Sequence, residues 1–319
     1  MTERIDAFGH ALTEPFYEEL TTNFDFKGLA GSPAWLWDVD SYREDMADYD
    51  VDKLVITLAL PPLWRGMDPD AARPLVELAN DEIRRLADEH PDHFIPVGTI
   101  PFPDDPYRDE FDRCVEDLGM AGVQVFSNVD GEPIDRPAFH WWYEFAERHG
   151  VPLWLHPQHH EWYDWTAERM DHRLFGWPFD TTLALSRLVF AGLTERYDFD
   201  LVTHHGGGMV PFYGDRIDMF YETRLAYPGN YETEFPDFAG DPSDAFRTFT
   251  ADTALDGSVA ALECTRAFFG DRVVFGTDYP FGPGRGRAKL AAAIESIEAA
   301  DLTTEAREAI YGRTLRSML

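Results

Sequence analysis

The sequence predicts an α/β fold, a single (β/α)8 TIM barrel spanning residues 1–319, and three observations carry that reading. Short apolar runs rich in β-branched residues recur along the chain. Segments with helical apolar spacing separate them, which is the signature of βαβ units on a parallel sheet. Ionisable residues close several of the runs, at the strand ends where barrels of this kind keep their functional groups.

The runs are Arg4 to Phe8, Lys53 to Leu60, Phe94 to Ile100, Gly122 to Phe126, Pro152 to Leu155, Asp200 to Thr203, Arg247 to Ala251 and Arg272 to Gly276. Between the second and third, Ala72, Leu75, Val76, Leu78, Ala79, Ile83 and Leu86 predict an amphipathic helix over Pro69 to Glu89. Pro137 to His149 reads as another helix before the fifth strand. An open doubly wound sheet is the competing architecture, but no glycine-rich phosphate loop follows the first strand. Tyr227 to Pro242, rich in Pro, Gly and acidic residues, predicts a long surface loop, a candidate lid.

The chain carries 59 acidic against 27 basic residues, a formal net charge of −32, and its lysines are Lys27, Lys53 and Lys289. A field this negative repels nucleic acid and anionic lipid, so no nucleic-acid or membrane partner is expected. Acid excess with few lysines resembles the cytoplasmic proteins of salt-accumulating halophiles such as halophilic archaea, where hydrated carboxylates maintain solubility in molar salt. Cys114 and Cys264 have neither disulfide-framework nor metal-type spacing, which fits a reducing cytoplasm. No basic stretch with an apolar core opens the chain, and no window approaches ~18 uninterrupted apolar residues. The expectation is a cytoplasmic protein with a small-molecule substrate.

Four strand ends carry candidate chemistry: Gly9-His10, Leu155-His156-Pro157, Thr203-His204-His205 and Thr277-Asp278. Neutral imidazole nitrogens and a carboxylate oxygen suit a borderline divalent ion, and three ligands leave a position open for water or substrate. His10, His156 and Asp278 form the expected ligand set. A single histidine at a strand end is as readily a satisfied polar cap, and it is the coincidence of four ends that favours a site. His204 and His205 are neighbours on an extended strand, so one faces the mouth and the other is structural. Gly206-Gly207-Gly208 allows either close approach to a bound group or a flexible turn. His159 and His160 sit in a polar loop beyond Pro157 and read as pocket lining or solvent-facing.

With these motifs in view, the chain resembles the metal-dependent hydrolase and decarboxylase branch of the amidohydrolase superfamily that includes aminocarboxymuconate-semialdehyde decarboxylase. The resemblance is densest over Gly176-Trp177-Pro178-Phe179, Leu188 to Gly192, His204 to Pro211 and Val274 to Phe281. It implies metal ligands at His10, His156 and Asp278, with His205 in acid–base chemistry or substrate polarisation. One departure matters: Phe8 stands where relatives carry the first histidine of a His-x-His pair, and phenylalanine coordinates nothing.

Two reactions and one non-catalytic role follow. The first is non-oxidative decarboxylation of an unsaturated or aromatic carboxylic acid, with the ion, zinc or manganese, drawing off charge while a histidine protonates carbon. Arg65, after Pro61-Pro62-Leu63-Trp64, is the candidate for the carboxylate anchor that reaction needs, with a surface arginine as the alternative, and Trp177 a substrate-binding residue; Trp64, Trp154, Trp162 and Trp165 suit either a planar substrate or the core. The second is metal-assisted hydrolysis of a lactone, ester or amide, with Asp278 or His205 as base. Phe8 motivates the third, a binding barrel without catalysis. The resemblance also implies a homodimer.

Overall fold

The computed structural model of the protein describes residues 3–24, 33–59, 61–158, 168–230 and 236–319. Among them, eight barrel strands follow in order: β1 (Ile5–Ala11), β2 (Lys53–Leu58), β3 (Phe94–Pro96, resumed at Gly98–Thr99), β4 (Val123–Phe126), β5 (Leu153–His156), β6 (Leu201–Thr203), β7 (Thr250–Asp252) and β8 (Val273–Val274). Each pairs in parallel with its neighbour. At Val97 the ladder steps from one partner to the other: its amide donates to Ile56 O at 3.1 Å, while Gly98 N donates to Gly122 O at 3.0 Å.

The ring closes between β1 and the segment after β8, where Ala7 N donates to Phe275 O at 2.7 Å, Asp278 N to Phe8 O at 3.0 Å and His10 N to Tyr279 O at 2.7 Å. Helices on the outside follow the strands, among them Pro69–Glu89 after β2, His140–His149 after β4, His172–Phe190 after β5, Val259–Phe269 after β7 and Arg287–Ala299 after β8. Helix Pro69–Glu89 has the bounds its spacing predicts. Asp68 caps it by accepting from Ala71 N at 3.0 Å, and Leu75, Val76, Ala79 and Ile83 are buried on its inner face. No helix among the described residues is long and apolar enough to cross a membrane.

The strands differ from the expected runs at their ends. β7 starts at Thr250 because Pro242–Phe246 is a helix, and it reaches Asp252, one residue beyond the expected end. Leu60, at the expected end of the second strand, and part of the Tyr227 to Pro242 loop lie outside the described residues.

β1 contains the irregularity that matters most. Asp6 is opposite Leu54 but Gly9 is opposite Ile56, so three steps on β1 match two on β2, a β-bulge. Ile5 and Ala7 pack in the barrel interior before the bulge, and Phe8 packs there after it. The added residue reverses the alternation of side chains, so Phe8 and His10 take the inner face in place of Gly9 and Ala11. The buried Asp6 carboxylate fastens this bulge to the far edge of the ring. It accepts from Phe8 N and Thr277 N, each at 3.1 Å, and from the Thr277 hydroxyl. Burial, offset in part by these bonds, pushes Asp6 up to about 7.

Candidate metal centre at the barrel mouth

One layer above this interior, at the C-terminal ends of the strands, three buried imidazoles meet. One donor atom each of His10, His156 and His204 lies within 4.8 Å of the other two. Hydrogen bonds fix which nitrogen of each ring is available. Thr57 Oγ1 donates to Gly9 O at 3.1 Å and must therefore accept from His10 Nδ1 at 2.9 Å. His156 Nδ1 donates to Pro157 O at 2.8 Å, and His204 Nδ1 bonds the Asp252 carboxylate. In each neutral ring the lone pair is then on Nε2, the atom left for the centre of the cluster.

Asp278 supplies the carboxylate. Its Oδ1 lies 3.3 Å from His10 Nε2 and 3.5 Å from His204 Nε2, yet both nitrogens are buried without a hydrogen-bond partner. Its Oδ2 accepts from Lys289 Nζ at 2.6 Å. Asp278 has φ 62° and His205 φ 55°, a left-handed backbone that costs energy in a side-chain-bearing residue and persists where the surroundings enforce it.

Electrostatics follow from burial and these neighbours. Burial holds the His10, His156 and His205 imidazoles below the usual range, well below it for the latter two. His204 moves the other way: burial opposes its charge, but Asp252 and Asp278 carry it up to about 9. Burial also opposes the Asp278 carboxylate, which the adjacent His10, His204 and Lys289 nevertheless hold well below the usual range.

The structure thus places His10 next to both His156 and Asp278, with His205 beside Asp278. His205 packs against His204 at 3.9 Å between ring centroids, and one donor atom each of His204, His205 and Asp278 also lies within 4.8 Å of the others. The expectation that one of His204 and His205 turns away is corrected. β6 ends at Thr203, and the left-handed φ of His205 breaks the strand alternation that would have sent the two rings to opposite faces. The glycine run is a tight turn against protein: a Cβ on Gly206 would come 2.6 Å from Leu255 Cδ2, and one on Gly208 2.4 Å from Pro178 O.

Trp177, on helix His172–Phe190, has its ring 5.5 Å from that of His156 and 5.9 Å from that of His205. Two other tryptophans do not line the mouth. Trp64 is buried between Phe16 and Phe102, and Trp154 is in the barrel interior with Nε1 donating to Ala7 O at 2.8 Å. Arg65 is half-buried just after the turn Pro61–Trp64 that follows β2. His159, His160, Trp162 and Trp165 lie outside the described residues.

Sequence reasoning passed over Asp252, Lys289 and Thr57. The scarcity of lysine was a usable signal for Lys289, since one of three lysines stands eleven residues after the candidate aspartate. Asp252 sits one residue beyond the expected seventh strand, and only its place beside His204 gives it meaning.

The 2-amino-3-carboxymuconate-6-semialdehyde decarboxylase of Dictyostelium discoideum is 28% identical over 280 residues, covering 84% of this chain and 73% of its own. The structure of 5-carboxyvanillate decarboxylase from Sphingomonas paucimobilis superposes with a TM-score of 0.86 at 22% identity, over 100% of this chain and 99% of the other. That of a dihydroxybenzoic acid decarboxylase from Polaromonas, solved with manganese and the inhibitor 2-nitroresorcinol, does so with a TM-score of 0.77 at 20% identity, covering 100% and 97%. The amidohydrolase family profile matches residues 32–316, and the chain belongs to that family.

Proposed function

We propose that the protein is a metal-dependent non-oxidative decarboxylase, a carboxy-lyase of an unsaturated or aromatic carboxylic acid. The observation that carries this reading is the meeting of His10 with His156 at the barrel mouth, where Asp278 Oδ1 lies 3.3 Å from His10 Nε2 and the Trp177 ring 5.5 Å from that of His156. Two imidazole nitrogens with free lone pairs and a carboxylate oxygen are a donor set for a divalent ion, zinc or manganese, and the orphaned His10 Nε2 is the mark of a place built for one. Named decarboxylases among the relatives, and manganese in the Polaromonas structure, support the same reading.

When bound, the ion would draw charge from a hydroxyl or carboxylate oxygen of the substrate. The chain's own groups do the rest. Trp177 covers a planar ring, and Arg65 anchors the carboxylate through its planar guanidinium. As the bond to the carboxyl carbon breaks, its electron pair stays on the substrate carbon, a proton drawn from solvent reaches that carbon through His205, and carbon dioxide leaves; nothing is oxidised or reduced. The acidic surface supports a cytoplasmic site of action in a salt-rich cell. Exposed Phe175, Phe179, Phe212, Met219 and Phe220 support a homodimer, in which a second copy would cover them.

Metal-loaded protein incubated in D2O with hydroxybenzoic and unsaturated carboxylic acids should release carbon dioxide and place one deuterium at the vacated carbon. His205→Asn should lower kcat about 10²- to 10⁴-fold with the metal retained. Turnover of a lactone, ester or amide without carbon dioxide would select hydrolysis instead, and ligand binding without turnover would select the non-catalytic barrel.

A further inference from the structure

We infer that His204 is a fourth metal ligand, supplied by β6 in place of the one that Phe8 removes from β1, and that Asp252 is its positioning residue. The inference rests on the metal-dependent reading above and adds to it a ligand from a different strand.

Phe8 and His204 occupy adjoining space. Their rings stack at 4.1 Å between centroids and 19° between planes, so the imidazole lies over the ring that replaces the lost donor. His204 Nε2 is 3.5 Å and His10 Nε2 3.3 Å from the same Asp278 oxygen. Donors about 2.0–2.1 Å from a tetrahedral ion stand about 3.4 Å from one another, which both separations match. Neither nitrogen makes a hydrogen bond, although both are buried. An ion pair with Asp252 accounts for His204 Nδ1, whereas Nε2 faces, at 3.5 Å and without a formed hydrogen bond, the same Asp278 oxygen that His10 Nε2 faces.

Asp252 is held for its task. Its Oδ2 bonds His204 Nδ1, while Oδ1 accepts from Gly206 N at 2.9 Å and Ala254 N at 3.2 Å. A carboxylate fixed by backbone amides and bonded to the far nitrogen of an imidazole sets the tautomer and aim of a metal-ligating histidine. His10 and His156 use neutral oxygens, Thr57 Oγ1 and Pro157 O, for the same purpose. His204 alone of the three has a carboxylate behind it, which makes it the strongest donor of the set. His205 remains available for proton transfer.

The test is equilibrium titration of metal-free protein with Co²⁺ and with Mn²⁺, recording the visible spectrum of the cobalt form. His204→Ala should weaken binding by about 10²-fold or more and change the cobalt spectrum, and Asp252→Asn should weaken it about 10- to 100-fold. Phe8→His in the His204→Ala background should restore affinity by returning the donor to β1, which also separates ligand loss from misfolding. If His204→Gln and His204→Ala both keep wild-type affinity and spectrum while His10→Ala and Asp278→Asn lose the metal, the centre stands and His204 is not part of it. Wild-type protein that binds neither ion would overturn both the centre and the reading beneath it.

Discussion

The floor and the mouth of the barrel are built from the same strands, two residues apart, and differ completely in chemistry. β1 gives Phe8 to the floor and His10 to the mouth, β5 gives Trp154 and then His156, and β6 gives Val202 followed by His204. Ile5, Ala7, Val55, Val97, Val274 and Leu315 fill the floor around them. Side chains two apart on a strand share a face, so each strand lifts one residue into each layer, and a single strand direction yields an apolar plug capped by a polar cluster. The floor holds the strand ends in place, and the mouth carries groups whose burial is costly unless they find partners or an ion.

That division predicts effects of different kinds. The largest belongs to the mouth: His10→Ala or Asp278→Asn should cut carbon dioxide release by about 10³-fold or more, because loss of an ion removes several kcal/mol of transition-state stabilisation. The melting temperature of metal-free protein should change little. A large fall in stability with activity per folded molecule preserved would erase the distinction between the layers.

Next comes the floor. Trp154→Phe deletes the bond to Ala7 O and leaves a small void, and should cost about 1–3 kcal/mol in stability, read by denaturant unfolding. Metal affinity should stay within about threefold of wild type. A loss of affinity as large as that of His10→Ala would mean that the floor takes part in the site directly.

An effect of a different kind, read against pH, sharpens the comparison from outside both layers. Asp180, on helix His172–Phe190, is 3% exposed, and burial raises its carboxyl from 3.8 to about 8. Because the folded value is the higher, the protonated group favours the fold. Its contribution is fully present below about pH 4 and is lost as pH rises to about pH 8. Asp180→Asn should therefore flatten the fall in stability over that interval, by an amount on the order of 1–3 kcal/mol. Identical pH–stability curves for wild type and variant would show that Asp180 finds a partner when ionised.

Legibility in the sequence follows the range of the interactions involved. The helix from Pro69 to Glu89 was readable because its cap and its apolar stripe are both local. His10, His156 and Asp278 were readable as candidates because barrel strands end in functional residues. His204 was not, since strand alternation predicts opposite faces for His204 and His205, and only the left-handed turn at His205 cancels it. Trp154 and Trp64 read equally as planar-substrate lining or as core, because aromatic composition says nothing of depth along a strand, and the structure selects the core. Asp252 and Lys289 acquire their roles through partners 48 and 11 residues away.

Sequence alone determined the alternation of strands and helices, the acidic character of the surface, and the presence of histidines and an aspartate at strand ends, because periodicity, composition and strand position are properties of local chain. Tertiary structure decided which of those groups meet. A one-residue bulge between Asp6 and Gly9 turns Phe8 and His10 inward, and closure of β1 against the segment after β8 brings Asp278 to His10 and His204. Register and ring closure are set by packing across the whole barrel, and no local window of sequence contains them.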